Sequence, residues 1–309
     1  MLIAVYALAV HTPAGQLFED DVLRAADAIA GSTEQTDALN TLDVISVPTV
    51  VAAILIIFLI GALRRRFLLA VLAVAAIVAA MITTELIQRY GYRPILLSHG
   101  YRRQDQSFPS GHTTTAMALM CGLALVVPYR VRGVTVAVSS LFAAGVGVAT
   151  VTASWHRPSD TIGAGLIVVG YACAVVAVLA RCGKVRAAAL PSPLGRGLRA
   201  ALATAGASVA VLSFAGAVVA VAVTLLDAHP GQHATAMLTA GRLLALSGSA
   251  SVAAALLTLL RHVDLGATER PEEGTPDVAP GVDRPAGSQR GLPGDRGGAL
   301  GPGADVPGS

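Results

Sequence analysis

The chain has 309 residues, of which 54% are hydrophobic and 13% charged, with a net charge of +3 and a mean hydropathy of +0.66. A soluble domain carries about a quarter charged residues, so this composition excludes a soluble enzyme and defines an all-α, polytopic transmembrane helix bundle. The positive charge is almost wholly arginine, with Lys184 the only lysine, and is too small and dispersed for a nucleic-acid surface.

Met1–Val10 is apolar but half the ~20 residues of a span. It has no basic leader and no clear cleavage site, so it reads as a partial first helix rather than a signal peptide. His11–Asp43 is polar, with an amphipathic run at Leu17–Ile29, and predicts one or two short extramembrane helices. Its acids Glu19, Asp20 and Asp21 are expected on a solvated face. Seven apolar runs follow: Val44–Leu63, Phe67–Ile87, Thr113–Val127, Gly133–Thr152, Thr161–Ala180, Ala200–Leu226 and Ala234–Leu260. Each is read as a span. Cys121, Cys173 and Cys182 fit no metal or disulfide spacing, and no cofactor or metal is expected.

Arginines in the short loops set the orientation. If the spans alternate, Arg64–Arg66, Arg130, Arg132, the cluster from Arg181 to Arg199 and Arg261 share one side, which is then cytoplasmic. The other side holds Arg89, Arg93, Arg102, Arg103 and Arg157, more than the rule expects, which points to chemistry there. Arg242 lies inside the last apolar run and is the main support for a transporter. A neighbouring Asp227 or a headgroup is expected to neutralise it. His229 and His233 are read as solvated loop residues.

Two polar inserts interrupt the spans: Gln88–His112, which contains Arg93-Pro94 and Pro109-Ser-Gly-His112, and Ala153–Asp160, reading ASWHRPSD. The chain crosses the membrane twice between them, so Arg93, His112, His156 and Asp160 fall at one surface, the non-cytoplasmic one. Pro109 and Ser110 open a helix, where the Ser110 and Gly111 N–H groups offer an anion site. His156 and Asp160 are four apart and share a helical face. The carboxylate would fix one imidazole tautomer and leave the other nitrogen as nucleophile or base. Arg93 brings a planar fork suited to phosphate, and His112 can protonate a leaving oxygen. Together these residues make a phosphoryl-transfer set that needs no metal.

The SFPSGH run, Arg93-Pro94 and the His156/Asp160 pair, in this order and spacing, resemble the type 2 phosphatidic acid phosphatase (PAP2)/haloperoxidase superfamily, in its membrane-bound lipid phosphatase branch. The resemblance covers about Phe67–Ala180. It implies His156 as nucleophile, Asp160 as its orienting acid, and His112 as acid and then base. It implies Arg93, Ser110 and Gly111 as ligands of the phosphate. Two family cations are missing: the first-motif lysine falls at Leu86 and the third-motif Ser-Arg at Ala149-Thr150. Arg89, Arg102, Arg103 or Arg157 are the candidates to compensate, and Thr150 retains a neutral donor.

The implied function is a membrane phosphatase acting on a phosphate ester or diphosphate of a lipid, phosphatidate-like or polyprenyl, at the outer face through a phosphohistidine. The alternative is a non-catalytic PAP2-like protein that binds phosphorylated lipids. The vanadate-haloperoxidase activity of the wider superfamily fits poorly with a weakened anion pocket. The implied division is 1–43, a partial helix and extracytoplasmic segment; 44–180, the PAP2-like core; 181–262, additional spans; and 263–309, a disordered cytoplasmic tail. The partners implied are the membrane and a phosphorylated lipid.

Overall fold

The computed structural model describes residues 1–97, 106–188, 193–226 and 230–266, side chains at 193, 194, 230 and 231 excepted. All lie in one compact unit, Met1–Thr268. The expectations for Arg102, Arg103, Asp227, His229 and residues 267–309 fall outside the described residues.

Ten helices form among the described residues. The first three are α1 (Leu2–Val10), α2 (Pro13–Asp27) and α3 (Thr33–Asp43); α4 (Val47–Leu63) and α5 (Phe67–Tyr90) follow. Then come α6 (Gly111–Val126), α7 (Tyr129–Thr152), α8 (Pro158–Arg181), α9 (Pro193–Leu226) and α10 (Pro230–Leu259). Five of them, α5, α7, α8, α9 and α10, are long and apolar enough to cross a membrane.

The expected span at 44–63 starts late. Ser46 is extended, and α3 and α4 meet at a 52° bend. Thr49 Oγ1 accepts the Ser46 N–H at 3.0 Å, which closes the new helix start. The expected boundaries at 113, 133 and 161 move earlier for local reasons. Ser110 Oγ caps α6 by accepting the Thr113 N–H. Val127 is extended before Pro128, as a residue preceding proline prefers, and α7 starts directly after it. Pro158 takes the first position of α8, where its missing N–H costs nothing.

The 16-residue α6 is the centre of the bundle: twelve of its residues are buried, and it packs on α5, α7 and α8. Lipid tails are as apolar as leucine, so hydrophobic transfer cannot drive this packing. Small residues that admit close backbone approach can. Ala73, Ala80, Ala116, Ala124 and Ala172 accordingly fill the contact layer, while large side chains such as Leu55, Leu141, Leu212 and Val219 point outward.

Two corrections concern the chain after α8. Residues 263–265, expected in the tail, instead form a strand, β2 (Val263–Leu265), paired antiparallel with β1, Val185–Ala187. Arg66 anchors this pair through a two-pronged contact with the Asp264 carboxylate. Arg242 finds its countercharge at Glu34, 2.7 Å away, and its Nε donates to Thr152 Oγ1 at 3.0 Å. The polar segment before α4 therefore supplies the partner expected from Asp227.

Gly163 on α8 carries one consequence for the fold. A Cβ there would lie 2.5 Å from the ring of Phe108, which is 1% exposed and has no room to retreat. Gly163→Ala is expected to cost roughly 1–3 kcal/mol by overpacking and to push the 107–112 loop off α8. Thermal unfolding in detergent checks the first effect, and protease sensitivity of the loop the second.

Candidate active site

The site is assembled where the 106–112 loop, the 153–157 turn and the starts of α6 and α8 meet. The turn is held by Thr150, whose carbonyl accepts the N–H groups of both Trp155 and His156 at 3.0 and 3.1 Å. Ser154 adopts a left-handed φ of 58°, an uncommon conformation for a non-glycine residue. The chain thus reverses direction and delivers His156 beside the first turn of α8.

Asp160 lies in that first turn and is fully buried. Its Oδ2 accepts from three donors: Ser107 Oγ at 2.7 Å, the Arg157 backbone N–H at 2.9 Å and, more loosely, His156 Nδ1 at 3.3 Å. The last contact makes Nδ1 the protonated nitrogen of a neutral His156 and leaves the Nε2 lone pair outward. Arg157, 1% exposed, donates to Ser107 Oγ at 2.8 Å. Ser107 therefore passes contact from the guanidinium to the carboxylate.

His112 sits in the first turn of α6, its ring 5.3 Å from that of Trp155. His112 and His156 line one cavity of about 780 Å³, which Gly111 also lines, with open space where a Gly111 side chain would project. The cavity has two ends. Its polar end carries Gln106, Ser107, Gly111, His112 and His156; its other end is an apolar groove between α4 and α5, walled by Val50, Ile54, Val78 and Ile82.

The remaining expected site residues are used differently. The Ser110 N–H donates to the Asp160 carbonyl at 3.0 Å, and its Oγ caps α6, so Ser110 couples α6 to α8 and has no free amide. Thr150 Oγ1 donates to the Gly147 carbonyl of its own helix. Leu86 is half-exposed. Arg89 stays on the exposed end of α5, 6.0 Å from the Tyr90 ring. Arg93 does not line the cavity of the two histidines. It is buried and bridges Glu19 at 3.1 Å through Nη2, while its Nη1 has no hydrogen-bond partner.

The acids expected on a solvated face are the largest correction. Glu19 and Asp20 are 2% and 6% exposed, because α2 turns this face toward Arg93 and Arg157. Only Asp21 behaves as a surface acid, paired with Arg24 one turn on. Sequence reasoning also missed Gln88, whose Nε2 donates to the Pro109 carbonyl at 2.6 Å and holds the loop to α5. It missed Ser107 and Glu85 as well. Ser107 had a signal, since it opens the SFPSGH run; Glu85 and Gln88 had none beyond being polar near the end of an apolar helix.

Glu19 has its carboxyl pushed up to about 7, first by burial and next by the Asp160 charge, with Arg93 and Arg157 opposing less strongly. Asp20, on the same helix, shares the field of both arginines. A carboxyl raised in the folded state binds its proton there more tightly than in the unfolded chain. Stability is therefore fullest below about pH 4.5 and is lost as pH rises through 7, by roughly 3–4 kcal/mol for this group alone. Glu19→Gln is expected to flatten that decline between pH 5 and 8, measured as unfolding temperature against pH in detergent.

This geometry is that of a helical membrane protein with two imidazoles and an orienting carboxylate at one cavity. The model of the PAP2 superfamily matches residues 87–184, just under a third of the chain. The match contains Arg93, Ser110, Gly111, His112, His156 and Asp160, and bears out the resemblance over this stretch. Among solved structures the chain is similar to the first transmembrane PAP2-type phosphatidylglycerolphosphate phosphatase from Bacillus subtilis. That similarity has 17% identity and a TM-score of 0.46, and covers 57% of this chain and 91% of that one. No curated protein matches the chain.

Proposed function

We propose that the protein is a membrane phosphatase that hydrolyses a phosphate ester or diphosphate of a lipid through a phosphohistidine. The observation that carries the reading is the two-ended cavity: His112 and His156 at its polar end, a groove between α4 and α5 at the other. A lipid phosphate has that same polarity, with a tetrahedral anion joined to a chain. The non-cytoplasmic face proposed for the site rests on the arginine distribution in the short loops.

His156 Nε2 attacks phosphorus as the bond to the leaving oxygen breaks. His112 gives that oxygen its proton, and Asp160 stabilises the charge that develops on the His156 ring. In the second half His112 removes a proton from water, the water oxygen attacks phosphorus, and the P–N bond breaks to return neutral His156. The Gly111 N–H and the protonated His112 stabilise the equatorial oxygens.

One observation favours a second reading, a protein that binds phosphorylated lipids without cleaving them. Among the described residues the cavity is lined by the Glu85 carboxylate and by no lysine or arginine. The full chain, purified in detergent, separates the two. Phosphate release is measured from phosphatidate, phosphatidylglycerol phosphate and a polyprenyl diphosphate, together with trapping of ³²P on the denatured protein. Release and acid-labile label with at least one lipid are expected. Lipid retained with neither release nor label establishes the binding reading instead.

A further inference from the structure

The other end of α7 gathers a second set of cations. Arg132 and Thr150 are eighteen residues apart on this helix, which places them ~27 Å from each other along its axis. Arg132 is 4% exposed. Its Nη1 donates to the Val263 carbonyl at 2.7 Å, but its Nε and Nη2 are buried with no hydrogen-bond partner. Arg199 reaches over from α9, where Gly133 leaves room for its stem. Its guanidinium lies over the Tyr129 ring, 3.6 Å from the centroid, and Nη2 donates to the Tyr129 carbonyl at 2.7 Å. Its Nη1 is also buried without a partner.

A gap of about 10 Å³ is lined by Arg132 and Arg199 together with Tyr129, Leu256, Leu260 and Arg261. Asp264 is the carboxylate facing this group, and Arg66 already holds both of its oxygens. Guanidinium groups are rarely buried with open donors unless an anion completes them. The gap admits about one oxygen atom. An anion that fills it must therefore keep its bulk outside, on the seam between α7, α9 and α10. A tyrosine at a helix end and a leucine-lined border mark the depth at which headgroups meet the apolar layer.

We infer that this gap is an anion site that takes a phosphate oxygen of a membrane lipid headgroup, held by Arg132 and Arg199. Bidentate recognition of phosphate is what two guanidinium forks do best, and basic pockets between spans on the arginine-rich side suit anionic lipids. The lipid's chains would lie along the outward faces of α9 and α10. The site is remote from the histidines and does not depend on the activity proposed for them.

The test uses the full chain in neutral detergent and reads its unfolding temperature with added dioleoylphosphatidylglycerol, dioleoylphosphatidylcholine or inorganic phosphate. At about a hundred times the dissociation constant, phosphatidylglycerol is expected to raise it by about 5 °C. Arg199→Gln should lose at least half of that rise, and Arg199→Lys, which keeps charge but not the fork, should fall between. Arg199 is only partly buried, so both variants retain the packing of α7 on α10. An equal rise with phosphatidylcholine, an undiminished rise in Arg199→Gln, or the whole rise reproduced by inorganic phosphate would each overturn the lipid site.

Discussion

His156→Ala is expected to lower phosphate release by at least about 10³-fold, with little change in the amount of lipid bound. The reasoning starts from what the imidazole alone supplies. Its Nδ1 side is turned to Asp160 at 3.3 Å, so Nε2 is the nitrogen left for phosphorus. Alanine removes the nucleophile and any covalent intermediate with it. Water must then attack the ester directly, helped only by His112 and the Gly111 amide. Residues acting as one catalytic unit show losses of 10³-fold or more when any member is removed. The His156 side chain is 12% exposed and bonded to Asp160 of α8, so the loss is measured per folded molecule, with the unfolding temperature read alongside. The ³²P label on the denatured protein should vanish with the activity. Release that persists at the parental rate would remove His156 from the nucleophile role, and label that persists would place the covalent step on another residue.

Much of this arrangement is legible from residue order. Five of the seven apolar runs give helices long enough to span, and the i, i+4 spacing puts His156 beside Asp160. Counting two crossings brings His112 to the same end as both. What was not legible depends on pairings across long separations. Glu19 lies 74 residues from Arg93, and nothing in the composition of α2 distinguishes an acid that faces a buried arginine from one that faces water. The reading of Ser110 failed for a related reason. Free N–H groups at a helix start follow from the local sequence, but the Asp160 carbonyl that takes this one belongs to another helix. The bend before α4 was hidden because the single polar residue Ser46 sits among Val44, Ile45 and Val47, so the window still averages as apolar. Only the backbone shows that Ser46 is extended there. The apolar half of the cavity includes the residues around that bend, since Ile45, Val47 and Val50 line it.

Asp160→Asn is the second large effect, and it discriminates where His156→Ala does not. Asn can place its carbonyl oxygen where Oδ2 now lies and keep all three donors, Ser107 Oγ, the Arg157 N–H and His156 Nδ1. Shape and hydrogen bonds are then preserved and one negative charge is lost. Two consequences follow from that charge. Arg157, 1% exposed, loses the strongest of its countercharges, and breaking a buried pair on one side costs about 3–5 kcal/mol; Glu19 and Asp20 recover part of this. Meanwhile the positive charge that forms on His156 during attack loses its stabiliser, which is worth about 10³–10⁴-fold in rate when an orienting acid becomes an amide. The expected pattern is therefore a kcat lower by that factor, a KM within a few-fold of the parent, and a reduced unfolding temperature. A merely structural Asp160 would lower the unfolding temperature and the fraction of active protein while leaving kcat per folded molecule unchanged. Titrating folded protein with a tight-binding oxyanion such as vanadate counts the competent sites. An unaltered kcat per site would leave Asp160 as a pillar of the loop and would move the activation of His156 elsewhere.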